Sequence, residues 1–328
     1  MKDRVTRKEK FCYILTNLGN VPVQAILGSY LLIYYTNVVG LNPGACATLF
    51  LIARIMDGLN DPIVGFLIDH RKTTKMGHFR PTLIMGAILC GLNFMLLWMG
   101  PYIATGGKLF IAYVSYLLIG IIFPIMDISL NSMLPVMTAD ASERNTLSSI
   151  KGITLLLGVF GINIIAPILI GNSSEAKGYF TLIIVAVFMI IVFSVIGTLG
   201  LKERVQINQE QKKYRFVDLI EIIKQKPVWS TFLCGLLYTT GTYIVNASNT
   251  YFYTYVLNNL MILSLASLIQ MFAMIPATIL APVLILKMGK KNAYIFGLFC
   301  FGIFPVVRII NVINIPILMI ATAVAGFG

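Results

Sequence analysis

Charged residues are scarce in this chain of 328 residues, where Asp, Glu, Lys and Arg together make up only 12%. An average soluble domain carries roughly twice that share and is about half apolar. Here the hydrophobic share is 58%, and the mean hydropathy is +0.85. This shortage of charge excludes an ordinary soluble globular domain.

Cysteine and histidine are also sparse. No Cys-x-x-Cys pair occurs, which argues against both a disulfide framework and a cysteine metal site. The two histidines, His70 and His78, lie in a basic loop far from any group of acids, so we interpret them as solvated loop residues. The cysteines are predicted to act as small apolar side chains in or beside apolar stretches: Cys12, Cys46, Cys90, Cys234 and Cys300.

Apolar stretches of roughly 20 residues recur along the chain, and each is long enough to cross ~30 Å of hydrocarbon as a helix. A membrane β-barrel would need shorter segments of alternating polarity. The first stretch is too long for a signal peptide and has no clear cleavage site. We therefore predict an all-α membrane protein with nine complete transmembrane helices and a partial tenth, at 11–36, 42–68, 81–103, 109–137, 148–171, 178–200, 228–257, 262–286, 292–310 and 313–328.

The formal net charge of +12 could indicate a nucleic-acid partner, but the basic residues are placed asymmetrically. With a cytoplasmic N-terminus, 21 of the 25 Lys and Arg residues fall at the inner edge of the membrane, and three at the outer edge. This is the positive-inside pattern. It predicts a multi-pass protein of the cell (inner) membrane with its N-terminus in the cytoplasm, the lipid bilayer as surroundings and no nucleic-acid partner.

The spans are divided by one polar segment. We predict an N-terminal six-helix bundle at 1–200, a cytoplasmic linker at 201–227, and an incomplete C-terminal bundle at 228–328. Within the linker, four apolar residues share one helical face flanked by basic residues, which favours an interfacial amphipathic helix. A plain linker is favoured over a platform for a regulator. The four residues are Phe216, Leu219, Ile220 and Ile223.

A weak internal repeat accompanies this division. Lys75-Met76-Gly77 follows span two and Lys287-Met288-Gly289 follows span eight, as expected for equivalent loops of two six-helix halves. The chain stops inside an apolar stretch, at 325–328, so a plan of twelve helices would lack most of span ten and all of the last two. We therefore expect a truncated C-terminal half.

Four formal charges lie well inside the spans, and such charges are costly and usually functional. Arg54, Asp57 and Asp61 lie on one face of span two, with Asn60 at its flank. Pro62 cannot donate its helical hydrogen bond, which leaves the Gly58 carbonyl without that partner. Two carboxylates, an amide and a carbonyl form an all-oxygen set that suits a hard cation.

Span four repeats this arrangement. Pro124 loosens the Gly120 carbonyl, while Asp127 and Asn131 lie four residues apart on one helical face. The alternative is that the acids only pair with Arg54 and Lys151 to hold helices together. Three acids and two helix-breaking prolines in neighbouring spans favour a binding site over that structural role.

The stretch 54–62, Arg-Ile-Met-Asp-Gly-Leu-Asn-Asp-Pro, closely resembles the span-two motif of the glycoside–pentoside–hexuronide:cation symporter family, part of the major facilitator superfamily. The resemblance extends over nearly the whole chain. It continues with Tyr34-Tyr35-Thr36-Asn37-Val38-Val39-Gly40-Leu41, Thr48-Leu49-Phe50, Gly77-His78-Phe79-Arg80-Pro81, Ile125-Met126-Asp127-Ile128 and Tyr251-Phe252-Tyr253-Thr254-Tyr255-Val256.

The resemblance implies a two-bundle transporter with twelve helices and assigns roles to individual residues. It implies that Asp57, Asn60 and Asp61 bind the coupling cation, with Asp57 and Asp61 as the metal ligands if the ion is sodium. It implies that Asp127 and Lys151 lie at the sugar site. We predict Asn131, Asn17 and Asn20 as further substrate-binding residues. From the local sequence we predict four structural or gating residues: Arg54, Gly58, Pro62 and Pro124.

The departures from the family pattern concern the ligands. The first-helix acid that binds the galactosyl unit in the family's type member falls at Val21, and the acid of many relatives one turn earlier falls at Asn17. An aromatic residue of the sugar site is replaced by Asn131, and a hydroxyl of the sodium site by Pro124. These changes disfavour an α-galactoside and leave both the sugar and the choice of Na⁺ or H⁺ open.

The predicted function is secondary transport: cation-coupled symport of a sugar or glycoside by alternating access, by a monomer without a cofactor. One alternative is a truncated, transport-inactive membrane fragment of such a symporter. Another is a major facilitator transporter for a non-sugar solute. An intramembrane enzyme that uses Asp57 and Asp127 as an acid pair is disfavoured, because the sequence has no accompanying nucleophile motif or histidine cluster.

Overall fold

Helices account for nearly all regular structure in the computed structural model, which describes residues 5–171, 175–205, 225–310 and 314–327. Within those residues there is no β-strand, and the β-pairing is a single bridge between Thr74 and Gly77. The helices are α1 Arg7–Ile33, α2 Pro43–Asp69, α3 Phe79–Ile103, α4 Lys108–Met137, α5 Ala141–Gly171, α6 Glu175–Phe188, α7 Ser194–Gly200, α8 Lys226–Tyr251, α9 Met261–Ile310 and α10 Ile315–Phe327.

The apolar character of these helices confirms the predicted all-α membrane class. Among the described residues, five helical stretches are long and apolar enough to cross a membrane: Phe79–Ile103, Lys108–Met137, Ser142–Gly171, Ala176–Gly200 and Val228–Val256. Shorter apolar helices cover Met261–Ala277, Lys291–Val307 and Ile315–Phe327. The total of nine complete spans and a partial tenth stays a prediction. The predicted amphipathic face at 216–223 lies outside the described residues.

The chain forms two compact units, and neither is one continuous stretch. Unit 1 comprises Met1–Leu155 with Ile184–Ala247, and within it α3 packs on α4, α2 packs on α4, and α1 packs on α7. Unit 2 comprises Leu156–Ile183 with Ser248–Gly328, and within it α9 packs on α10. The predicted bundle boundaries at 200 and 228 are not decided by this grouping and stay a prediction.

The C-terminal ends of α1 and α8 have the same local structure. Each helix widens into a π-helical segment, at Tyr34–Val38 and at Phe252–Val256. Two residues after each segment the backbone turns left-handed, with φ of 76° at Gly40 and 50° at Asn258. Asparagine is one of the few residues other than glycine that adopts this conformation readily. These two helix ends therefore share a backbone conformation, and their sequences, Tyr-Tyr-Thr-Asn-Val and Phe-Tyr-Thr-Tyr-Val, are similar.

The Lys-Met-Gly loops that predicted an internal repeat also share a backbone conformation. Gly77 has a φ of 113°, and Gly289 has a φ of 79°. Gly289 is non-helical within α9, so that α9 consists of two helices that meet at this residue. Both glycines occupy a region that side chains rarely adopt, which explains why the loops keep glycine at this position.

The segment that follows α7 forms hydrogen bonds with the ends of several helices. The Glu203 carboxylate accepts hydrogen bonds from the backbone N–H groups of His78, Phe79 and Arg80 at 2.7, 2.9 and 2.9 Å. These are donors at the start of α3 that have no partner within the helix. In return, Arg80 donates to the carbonyl oxygens of Thr198 and Leu199 at the end of α7. The two helix ends therefore cap each other.

Arg204 makes a second connection to α1. Its Nη2 lies 2.8 Å from both carboxylate oxygens of Glu9, a residue only 3% exposed, and its Nη1 donates to the Met137 carbonyl at the end of α4. Glu9 also forms a capping box with Thr6. Burial alone would raise the pKa of Glu9, but the hydrogen bonds from Arg204 and Thr6 hold it below its ordinary value of 4.5.

Candidate functional site

The charged face of α2 is the first part of the candidate site. The helix continues through Pro62, whose missing N–H deprives the Gly58 carbonyl of its usual helical partner. The side chain of Asp57 is 33% exposed, Asn60 is half-buried and Asp61 is exposed. Asp57 and Asp61 are close enough for their charges to interact. The predicted cation ligands therefore lie together on one accessible face.

Arg54 lies between this face and α8. Its Nη1 is 3.5 Å from Oδ2 of Asp57, and its Cζ lies 4.5 Å from the centre of the Tyr243 ring. The spacing of three residues predicts the contact with Asp57. Sequence reasoning missed Tyr243, because no spacing rule connects a tyrosine of α8 with an arginine of α2. Tyr243 is one of three tyrosines in α8, among several threonines and asparagines, so nothing in the sequence singles it out.

Helix α4 approaches α2 closely at Gly120. A Cβ atom on Gly120 would lie 2.5 Å from Oδ1 of Asp57, so any side chain at this position would force the carboxylate to move. Glycine therefore makes room for the carboxylate against the backbone of α4. Pro124, which is buried, lies one turn further along the same helix. The two helices that carry the acids thus pack directly at the first acid.

The acid of α4 is the centre of a second polar group. Asp127 Oδ1 accepts a hydrogen bond from Asn20 Nδ2 of α1 at 2.5 Å, and its Oδ2 accepts one from Asn131 Nδ2 at 2.9 Å. Asn131 Oδ1 accepts a hydrogen bond from Lys151 Nζ of α5. A continuous polar chain therefore connects α1, α4 and α5. The ammonium group of Lys151 reaches Asp127 through Asn131 rather than by the direct pairing considered from the sequence.

The two asparagines of α1 each have only part of their hydrogen-bonding capacity used. Asn17 is fully buried, and its Nδ2 donates to the Tyr13 carbonyl within α1. Within the described part of the chain, the side-chain oxygens of Asn17 and Asn20 are both buried without a hydrogen-bond partner. A buried acceptor without a donor is costly, and it marks a place where hydrogen bonding is incomplete in this conformation.

The two polar groups are linked through Asp61, which lies close enough to Asp127 for the two carboxylates to repel each other. The three acids carried by α2 and α4 therefore lie in one part of unit 1. No cluster of three His, Cys, Asp or Glu side chains suited to a metal ion occurs in residues 5–171, 175–205, 225–310 and 314–327. Any cation held here would depend on the two α2 carboxylates together with amide and carbonyl oxygens.

The chain is similar to a known protein family and to several known transporters. A family model described as MFS/sugar transport protein matches residues 12–328. The chain is 29% identical over 304 residues to the isoprimeverose transporter of Lactiplantibacillus pentosus, covering 90% of this chain and 63% of that protein. It therefore spans less than two thirds of that relative's length.

Two further relatives differ in what their names state. A putative glycoside/cation symporter of Escherichia coli (strain K12) is 35% identical over 180 residues, covering 54% of this chain and 39% of that protein. A putative 2,3-dihydroxypropane-1-sulfonate exporter of Salmonella typhimurium is 29% identical over 312 residues, covering 90% of this chain and 66% of that protein. The similarity therefore extends to transporters named for sugars and to one named for a small sulfonate.

Proposed function

The chain belongs to the MFS/sugar transport protein family, in its glycoside–pentoside–hexuronide branch, and on that basis we propose that it is a symporter that couples a cation to a sugar or glycoside. Transport proceeds by alternating access, as a monomer without a cofactor. The observation that carries the proposal is the packing of α2 on α4 at Gly120, which brings the face with Asp57 and Asp61 next to the helix whose Asp127 is hydrogen-bonded to Asn20 and Asn131. Chemistry on the substrate is not part of the proposal, because the relatives are named as transporters.

The α2 residues supply the cation half of the mechanism. Asp57, Asp61, the Asn60 amide and the Gly58 carbonyl fit a hard cation such as Na⁺, which prefers oxygen ligands. Protons could be carried by the same two carboxylates. A bound cation offsets the repulsion between Asp61 and Asp127, which lowers the cost of presenting Asp127 to a ligand. Cation and sugar thereby favour each other's binding, and coupling requires this reciprocity.

The polar chain from Asn20 to Lys151 provides the proposed binding site for the sugar. Asp127 can accept hydrogen bonds from sugar hydroxyl groups, while Asn20, Asn131 and Lys151 both orient that carboxylate and offer further donors and acceptors. Asn17 lies in the adjacent turn of α1. We assign the site a polyhydroxy substrate, since its carboxylate, ammonium and amide side chains can each form a hydrogen bond with a hydroxyl group.

A small hydroxylated sulfonate is the second candidate substrate. The Salmonella relative is named for such a solute, and the ammonium group of Lys151 could pair with a sulfonate. Uptake and efflux by cells that express the natural gene, measured with isoprimeverose, a glucuronide and 2,3-dihydroxypropane-1-sulfonate, distinguish the candidates. Each substrate is assayed with a sodium gradient, with a proton gradient and with neither. Transport of none of them under any gradient would contradict the proposed function.

Replacement of Asp127 by Asn is expected to weaken sugar binding by about tenfold to a hundredfold, because charge-assisted hydrogen bonds to the hydroxyl groups are lost. Direct binding of the transported sugar to purified protein measures the change. The control is Asp140→Asn, at an exposed acid beyond the end of α4. Unchanged sugar affinity in Asp127→Asn would show that this carboxylate serves helix packing instead.

The orientation in the membrane is a further prediction. The proposed N-terminus and linker face the cytoplasm, because basic residues concentrate at those positions. In a cysteine-free background, an impermeant thiol reagent added outside intact cells should label Ser174→Cys and leave Gln206→Cys unlabelled. The reverse labelling pattern would overturn the assigned orientation, and permeabilised cells, in which both positions become accessible, provide the control.

A further inference from the structure

Arg54 is the cation on the charged face of α2, and it contacts two different groups. One is the carboxylate of Asp57 on the same helix, at 3.5 Å from Nη1 to Oδ2. The other is the ring of Tyr243 on α8, whose centre lies 4.5 Å from the guanidinium carbon. The arginine side chain remains 52% exposed, so it is not confined to this position by dense packing.

The ion pair with Asp57 is loose. A relaxed arginine–carboxylate pair has N···O distances of about 2.7–2.9 Å and is commonly bidentate. Side chains three residues apart on a helix are neighbours, so a tighter pair is within reach of Arg54 and Asp57. The observed contact is instead a single approach at 3.5 Å. The guanidinium therefore does not close on the carboxylate as far as helix geometry would allow.

The ring of Tyr243 is well placed to attract the Arg54 guanidinium. Cation–π attraction acts within about 6 Å of the ring centre, and arginine is the residue that uses it most often. The ring is supported from behind by α1, since a Cβ on Gly28 would lie 3.8 Å from Cε1 of Tyr243, an ordinary van der Waals distance. Tyr243 therefore offers Arg54 a second partner, on a helix other than the one that carries Asp57.

We propose that Tyr243 is a positioning residue that holds Arg54 back from Asp57 and so keeps this carboxylate open to the coupling cation. The inference rests on the proposed function in one respect, the role of Asp57 as a cation ligand. Without the ring, Arg54 closes on Asp57 and competes with the cation from within the protein. With the ring present, the guanidinium remains in contact with Tyr243 while the cation is bound at Asp57.

The first test needs no coupling ion. A hydrophobic carbodiimide adds to protonated carboxyl groups, so a carboxylate in a tight pair with arginine reacts slowly. In purified protein from the natural gene, Tyr243→Leu should slow labelling of Asp57 by about threefold to tenfold, the range that corresponds to one cation–π contact. Tyr243→Phe, which keeps the ring, should label like the parent. Peptide sequencing by mass spectrometry locates the label, with Asp127 as the internal reference.

The matched background is Arg54→Gln, in which the competing charge is absent. There, Tyr243→Leu should leave the labelling of Asp57 unchanged. Labelling that is unchanged or faster in Tyr243→Leu alone, or slowed equally in both backgrounds, would overturn the proposal. Tyr243→Met replaces the leucine variant if the latter fails to fold, because its flexible side chain fills a similar volume.

The second test adds sodium. In the parent, sodium should protect Asp57 from the carbodiimide, and in Tyr243→Leu about threefold to tenfold more sodium should be needed for half protection. Absence of protection in the parent would count against a sodium site at Asp57, and hence against the proposed function in its sodium form. The labelling comparison without sodium would still decide whether Tyr243 positions Arg54, so the two failures are distinguishable.

Discussion

Replacing Asp57 or Asp61 by Asn should weaken cation stimulation of transport by about tenfold to a hundredfold, while cation-independent sugar binding is retained. Asparagine keeps the size of the side chain and one oxygen, but it removes the charge that compensates a partly desolvated cation. The measurement is the dependence of uptake on cation concentration, in cells that express the protein from its natural gene. Binding of the sugar to purified protein is measured in parallel.

A control for this pair is available on the same helix. Asp69 is the last residue of α2 and is exposed, so Asp69→Asn should leave the cation dependence unchanged. If the parent shows no response to sodium, Asp57 and Asp61 should instead set the pH dependence of transport, because interacting carboxylates titrate as a coupled pair. Full coupling together with normal sugar binding in both variants would reduce the two acids to structural partners of Arg54.

Replacing Arg204 by Met should lower the stability of the protein by about 3–5 kcal/mol at neutral pH, the typical cost when a buried charge loses its partner. Glu9 is 3% exposed, and Arg204 binds both of its carboxylate oxygens. The thermal or denaturant-induced unfolding of the purified protein in detergent measures the loss. Lys202→Met is the matched control, because Lys202 belongs to the same segment and is exposed.

The loss of stability in Arg204→Met should depend on pH in a defined direction. In the parent, the pKa of Glu9 lies below 4.5, so its stabilising contribution is present above that pH and disappears as the pH falls through the lowered value. In Arg204→Met, burial without the arginine favours the protonated acid, so the variant is penalised at neutral pH and relieved in acid. The stability difference between the two proteins should therefore shrink below about pH 4.5. A difference independent of pH would contradict this account.

The sequence predicted the helical membrane class and the cluster of acids for one physical reason. In a chain with 12% charged residues, a charge inside an apolar stretch is conspicuous and rarely tolerated without a purpose. Helical periodicity then places Arg54, Asp57 and Asp61 on one face. Both inferences need only composition and local spacing, and both were made without knowledge of how the helices pack.

Contacts between helices could not be predicted from composition and local spacing. Asn20 and Asp127 are hydrogen-bonded although they lie far apart in the chain, and their pairing depends on how α1 and α4 pack. The contact of Arg54 with Tyr243 has the same origin. Glu203 is one charge among several in a polar segment, and its three hydrogen bonds to the start of α3 depend on the path of the chain after α7. Local spacing carries no information on such partners.

The polar face of α2 also bears on how the protein is made. On insertion scales, an arginine or aspartate at the centre of a helix costs about 2.5–3.5 kcal/mol, so α2 leaving the ribosome alone is a poor substrate for the translocon. The Gly120 backbone, against which Asp57 lies, belongs to α4 and is synthesised later. We therefore expect α2 to integrate stably only after α4 has been made, so that these two helices insert cooperatively rather than independently.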